Sequence, residues 1–286
     1  MALAIFKQVR QAIEQLNPAE VREQAARRVD IRLTASGGEG YTQIEDFLVP
    51  RRMSKDRRQE ALNTVFRADD ADAPREFDLD IVEEGMHRPR GSYVFRPDKP
   101  GRLAADILEA RPELSLPLAR LFGPFLGPVS EAIVYKVSKE NALFSIATAL
   151  PDIAPGFAIP WAIPEAMSDT AVLSVNQVRM AFLLAAASGR PVGYREQKTE
   201  VASIIAGALG WRALARQLIG KIPMGGGVIP KAGIAFAATY VEGRSLERLY
   251  RVGYGFTEDE RKDAYRDALD QGKQVARALY DRVKRK

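Results

Sequence analysis

Leu3, Phe6, Val9, Ile13 and Leu16 recur every three or four positions, so the chain is expected to open on an amphipathic helical arm with Lys7 and Arg10 on its polar side. Asn17-Pro18-Ala19-Glu20 then supplies an N-cap oxygen, a proline at the first helical position and a glutamate behind it, starting a second helix that ends near Arg28. From Val29 the period drops to two. Val29–Thr34 and Phe77–Ile81 alternate as strands, Ser92–Phe95 is a further short strand, and helical stretches Thr42–Val49 and Ser54–Phe66 between the first two suggest a βαβ-like unit with a parallel sheet. Asp69–Pro74 reads as a solvated loop. Helical spacing returns over Arg102–Phe122, with Pro112 expected to interrupt it.

Beyond Pro128 the pattern is helical almost throughout, broken at Pro151, Pro155, Pro160, Gly189-Arg190-Pro191, Gly210, Pro223–Pro230 and Gly253–Gly255. The expected fold class is therefore α+β, a small α/β region followed by a larger all-helical domain. The expected parts are an arm at 1–28, the α/β region at 29–127 and the helical domain at 128–286. Thr257 and Glu260 form a capping box for the last helix, whose acidic start and basic end suit the helix dipole. Its narrow apolar face is Tyr265, Leu269, Val275, Leu279 and Val283.

Two blocks nearly free of charge stand out, Ala142–Pro164 with Asp152 and Ile222–Val241 with Lys231 as their lone formal charges. Proline breaks leave runs too short to cross a bilayer core of about 30 Å singly, so each block is either a re-entrant hairpin at a membrane or a buried helical hairpin. In the second block Gly225, Gly226 and Gly227 form the turn, bracketed by Lys221 and Lys231, which reach anionic headgroups if the hairpin dips into lipid. Asn176, Gln177 and Arg179 interrupt the apolar helix Val172–Ala187. They read as a polar network inside the helical core, with Asp152, Glu165 and Asp169 as the acids placed to neutralise Arg179 or Lys231; a proton or ion path is the alternative.

Composition narrows the chemistry more than it identifies it. The 286 residues are 46% hydrophobic and contain no Cys, so disulfides, thiolate metal sites and cysteine nucleophiles are excluded, and a cytosolic location is expected. Lys7 and Arg10 interrupt what an export signal would need as its apolar part, so secretion is not expected. A net charge of +5 and a pI near 9.4 bias the chain mildly toward anionic partners. Ser36-Gly37-Gly38-Glu39-Gly40 follows a strand and opens a helix, the place of a phosphate loop, but no Lys-Ser/Thr follows and Glu39 adds negative charge, so hydrolysis is not expected. Asp78 and Asp80 share a strand face with too few ligands for a metal, and Arg32 and Thr34 make cross-strand charge pairing the simpler reading. His87 has no second histidine to work with. No cofactor, small-molecule substrate or nucleic-acid partner is expected.

Lys139-Glu140-Asn141-Ala142, the proline-rich apolar block, Asn176-Gln177 before an apolar helix, and Lys221-Ile222-Pro223 with glycines before Lys231-Ala232-Gly233 together resemble a bacterial helical domain of unknown function. That domain follows Era-like GTPase domains and occurs in YcjF-type inner-membrane proteins. The resemblance covers about Asn141 to Tyr254 and brings no catalytic residues. It implies inner-membrane association and work beside a GTPase. Val29–Arg96 lacks the phosphate-loop lysine and is too short for a complete nucleotide-binding fold, so any GTPase is expected in trans. The leading expectation is thus a non-enzymatic, membrane-associated helical adaptor or scaffold. The alternative is a soluble helical bundle that binds an apolar ligand or a partner protein.

Overall fold

The computed structural model describes residues 16–150, 169–205 and 227–284, which fold as α+β with helix predominating. Contacts divide the chain into two compact units, one of residues 20–130 and 186–191, the other of 1–19, 131–185 and 192–286.

The first unit is built on a four-stranded parallel sheet, β1 (Ile31–Thr34), β2 (Val65–Arg67), β3 (Leu79–Glu83) and β4 (Tyr93–Phe95), in the order β2-β1-β3-β4. Helix α1 (Pro18–Ala26) precedes it, and α2 (Gly38–Leu48) with α3 (Lys55–Leu62) form the crossover from β1 to β2. The helix expected over Ser54–Phe66 therefore stops at Leu62, and its last residues form β2. Val65 and Phe66 pair with Ile31 and Arg32, and the sheet outweighs local helical spacing there. Side chains alternate across β1: Ile31 and Leu33 are fully buried, while Arg32 and Thr34 stay half-exposed. Parallel pairing sets Arg32 beside Asp80, and their side chains bond at 2.5 Å, with the guanidinium 5.0 Å from the Phe77 ring centre. Cross-strand charge pairing is what this face shows. Helix α4 (Pro100–Ala110) starts on its proline and buries Leu103, Ala104 and Ile107; a 3-10 turn at Pro112–Leu114 separates it from α5 (Ser115–Leu121), the interruption expected of Pro112.

In the second unit, α8 (Val228–Val252) is the central element. It is apolar or small on nearly every side over its first half, and Ala232 to Thr239 are all buried, the composition of a helix enclosed by others. Helix α9 (Glu258–Lys284) folds back along it. Gly253, at φ +93°, takes the left-handed conformation that ends α8 and donates to Leu249 O at 2.9 Å. The capping box then starts α9, with Thr257 N donating to Glu260 Oε2 at 2.8 Å and Glu260 N to Thr257 Oγ1 at 3.3 Å. The backbones of the two helices touch at glycines: a Cβ on Gly272 would lie 2.6 Å from Gly233 O. The buried stripe of α9 is Tyr265, Ala268, Gly272, Ala276, Leu279 and Val283; Leu269 and Val275, expected on it, are partly buried and pack at its margin. Helices α6 (Gly123–Ala147) and α7 (Asp169–Ala187) meet α8 where Gly243 leaves no room for a side chain, a Cβ there falling 2.8 Å from Val134 and Met180 atoms.

The described halves of the two apolar blocks pack on each other. Ala142 and Ile146 join Ala232, Phe236, Ala276, Leu279 and Val283 in one cluster. Among the described residues no helix is long and apolar enough to cross a membrane.

Candidate functional site

The Ser36–Gly40 loop delivers its amides to the start of α2, where the helix dipole attracts anions. From β1 the chain moves to β2 on one side and then passes back to β3 on the other, so the carboxyl ends of β1 and β3 flank the crevice in which open parallel sheets bind ligands. Here the protein's own carboxylate occupies it. Glu83, the last residue of β3, accepts from the Ser36 amide at 2.6 Å and from the Ser36 hydroxyl at 2.7 Å, and these bonds hold its pKa below the ordinary glutamate value. Gly40 makes the approach possible, since a Cβ there would lie 2.5 Å from Glu83 Oε2.

What stays open is a cleft of about 480 Å³ on the β2 side of β1, lined in part by Ser36, Gly37, Gly38, Tyr41, Arg67 and Asp69. Arg67 is already committed. It donates to both Glu45 oxygens at 2.8 and 3.1 Å and lies 5.0 Å from the Tyr41 ring centre, and the Glu45 bond raises its pKa. With Asp69 on the rim and Glu83 in the crevice, the loop presents no uncommitted cation among these residues to a phosphate, whereas phosphoryl transfer works by placing cationic groups on one. Among the described residues no group of three or more acidic or histidine side chains is placed to hold a metal ion.

Of the polar residues expected in the helical core, Asn176 and Gln177 meet, around a centre that sequence reading missed. Asn141 on α6 accepts from Asn176 Nδ2 at 2.6 Å and donates to Thr239 Oγ1 at 2.8 Å; Gln177 Nε2 lies 3.4 Å from the same Thr239 oxygen, and Thr239 donates to Ala235 O at 2.9 Å. Asn141, Asn176 and Thr239 are each at most 1% exposed. The network ties α6, α7 and α8 together, and among the described residues no donor reaches Asn176 Oδ1. Arg179 pairs with Glu140, one residue before Asn141, while the side chains of the expected acids Asp152, Glu165 and Asp169 lie outside the described residues: (i, i+1) neighbours on α6 face Arg179 and Asn176 on α7, a juxtaposition that only helix packing creates. Farther along α8, the buried Glu242 accepts from Arg261 at 2.6 Å, and Ser245 Oγ accepts from Phe256 N at 2.9 Å and from Arg261 at 3.2 Å. Most of these bonds fix helix against helix. None aims a nucleophile or a base at open space.

The remaining expected site residues separate. Asp152, Lys221, Gly225 and Gly226 lie outside the described residues. Gly227 caps the start of α8 at φ −63°, an ordinary conformation, so its place there does not depend on being glycine. Lys231 is half-buried, its Nζ 3.4 Å from Thr148 Oγ1. Asp78 accepts from Arg27 and from the Asp30 amide, both at 3.1 Å, and His87 is exposed. Glu83, Asn141, Glu140 and Thr239 carry the contacts, and of these Asn141, a polar residue heading an apolar run, had a legible signal. Comparison of the chain with family models, with curated proteins and with solved structures finds no match.

Proposed function

We propose that this protein is a non-enzymatic helical adaptor, held at the cytoplasmic face of the inner membrane from outside the bilayer and working with a GTPase supplied in trans. The observation that carries the reading is the mutual packing of the two apolar blocks. Ala142 and Ile146 spend their apolar surface on Ala232, Phe236 and α9, which favours a self-contained core over insertion of these segments. The internal Arg179–Glu140 pair and the buried amide network support the same view, because each would be costly to carry into hydrocarbon unpaired. The Glu83 carboxylate in the crevice of the sheet speaks against nucleotide chemistry in this chain. The GTPase partner and the inner-membrane location come from the resemblance over Asn141 to Tyr254.

The test is extraction. Untagged protein in cell membranes should leave with alkaline carbonate and stay soluble in detergent-free buffer, with no GTP or ATP turnover. Retention in the carbonate pellet would overturn attachment from outside. Turnover lost on changing Gly40 would overturn the non-enzymatic part.

A further inference from the structure

If the chain works from a membrane surface, as just proposed, some part of it must meet lipid headgroups. Arg51–Arg58 holds five cations, Arg51, Arg52, Lys55, Arg57 and Arg58, against one carboxylate, Asp56. The stretch forms the turn between α2 and α3 and the first residues of α3. Its shape is fixed at both ends. Pro50 lies against Gly123, where a Cβ would be 3.2 Å from the ring, and Met53 N donates to Pro50 O at 3.0 Å, leaving Arg51 and Arg52 exposed on the turn. At the other end Arg57 donates to Ala119 O at 2.9 Å, beside Arg120, which bonds Ala25 O at 2.7 Å and Glu60 at 2.6 Å.

Two features indicate that positive charge is in excess here. Burial lowers the pKa of Arg57, and the charge of the neighbouring Arg120, the part of the effect that reflects crowded cations, lowers it further against the opposing pull of Glu60. Arg51 meets Asp46 at 3.6 Å with its own side chain 81% exposed, a pair loose enough to leave the guanidinium available. No Phe, Tyr or Trp interrupts Arg51–Arg58, so a single-stranded nucleic acid finds no ring within this stretch on which to stack its bases, whereas phosphates at a bilayer surface ask only for clustered cations. We infer that this edge of the α/β unit is the lipid-contact surface, with Arg51, Arg52 and Lys55 meeting the phosphates of an anionic bilayer and Arg57 and Arg120 sustaining the positive potential behind them. The contact thus belongs to the α/β unit, whereas Lys231 belongs to the helical one.

Flotation of the full chain with phosphatidylglycerol–phosphatidylcholine vesicles tests it, pure phosphatidylcholine serving as the uncharged comparison. The triple variant Arg51→Gln/Arg52→Gln/Lys55→Gln should bind the anionic vesicles on the order of 100-fold more weakly. Its melting temperature should not move, because the three side chains are exposed. The variant Lys262→Gln/Arg266→Gln/Lys273→Gln, which removes the same charge from the exposed face of α9, should keep binding within about 3-fold. Equal loss in both variants would show that total charge alone governs binding and would overturn the assignment, as would unchanged binding by the first. A wild-type chain that ignores anionic vesicles but binds a short DNA duplex through these residues would overturn it as well. These failures leave attachment from outside the bilayer standing, since that reading falls only to carbonate resistance.

Discussion

The two units treat polar groups in opposite ways. In the α/β unit, charges pair across a sheet face that water reaches: Arg32 and Asp80 keep 40% and 28% of their side-chain surface exposed. In the helical unit, polar groups are enclosed: Asn141 and Asn176 are essentially inaccessible, and Glu242 keeps 7% of its side chain exposed against Arg261. A polar group with water at hand loses little when its partner is removed, because solvent takes the partner's place. An enclosed group has no such substitute, so each deletion leaves a desolvated donor or acceptor. The contrast teaches where specificity of packing resides. The sheet tolerates errors in its charges, whereas the helices must meet in one register for their amides to be satisfied.

Substitutions rank themselves on this contrast. The largest effect is expected from Gly272→Val, because the obstacle at 2.6 Å is the Gly233 carbonyl, which cannot turn aside as a side chain would. Separating α8 from α9 should cost about 3 kcal/mol or more, seen as lost hydrogen-exchange protection along both helices. Asn141→Ala removes the hub between Asn176 and Thr239 and leaves a void, so a loss of about 2–3 kcal/mol in urea unfolding is expected. If that variant unfolds like the wild type, the network does not hold α6 to α7 and α8. Arg261→Gln strands the Glu242 carboxylate and should cost about 2 kcal/mol, below the range for fully enclosed pairs because Arg261 is partly open to water. The matching change in the sheet, Arg32→Gln, should cost less than about 1 kcal/mol. A cost for Arg32→Gln equal to that of Arg261→Gln would erase the distinction between the units.

The smallest effect is expected in acid. Glu83 has a folded pKa depressed by its Ser36 bonds, so the stability it contributes is present above the unfolded value of about 4.3 and is lost as pH falls through the lower folded value. Hydrogen exchange of β1 amides followed below that pH should show protection declining in the wild type and less steeply in Glu83→Gln, whose amide does not titrate. Identical slopes would mean that the carboxylate in the crevice contributes nothing measurable.

Sequence alone determined the class of fold, the capping box at Thr257, the break at Pro112 and the gathering of Asn176 and Gln177 into a polar core, because each depends on near neighbours or on a periodicity that a single helix or strand expresses. It also determined that the Ser36–Gly40 loop lacks the cation of a phosphate site, since that is a matter of residue type. Tertiary structure decided the rest. Val65–Arg67 became a strand because β1 offered it hydrogen-bond partners that no local spacing announces. Glu83 reached Ser36 because β1 and β3 are neighbours in the sheet although 47 positions separate the two residues. Glu140 took Arg179, and Asn141 took Asn176 and Thr239, because α6 lies against both α7 and α8. Long-range partners are chosen by which faces pack, and packing minimises exposed apolar surface and unmet polar groups over the whole chain at once, a condition that no window of the sequence contains.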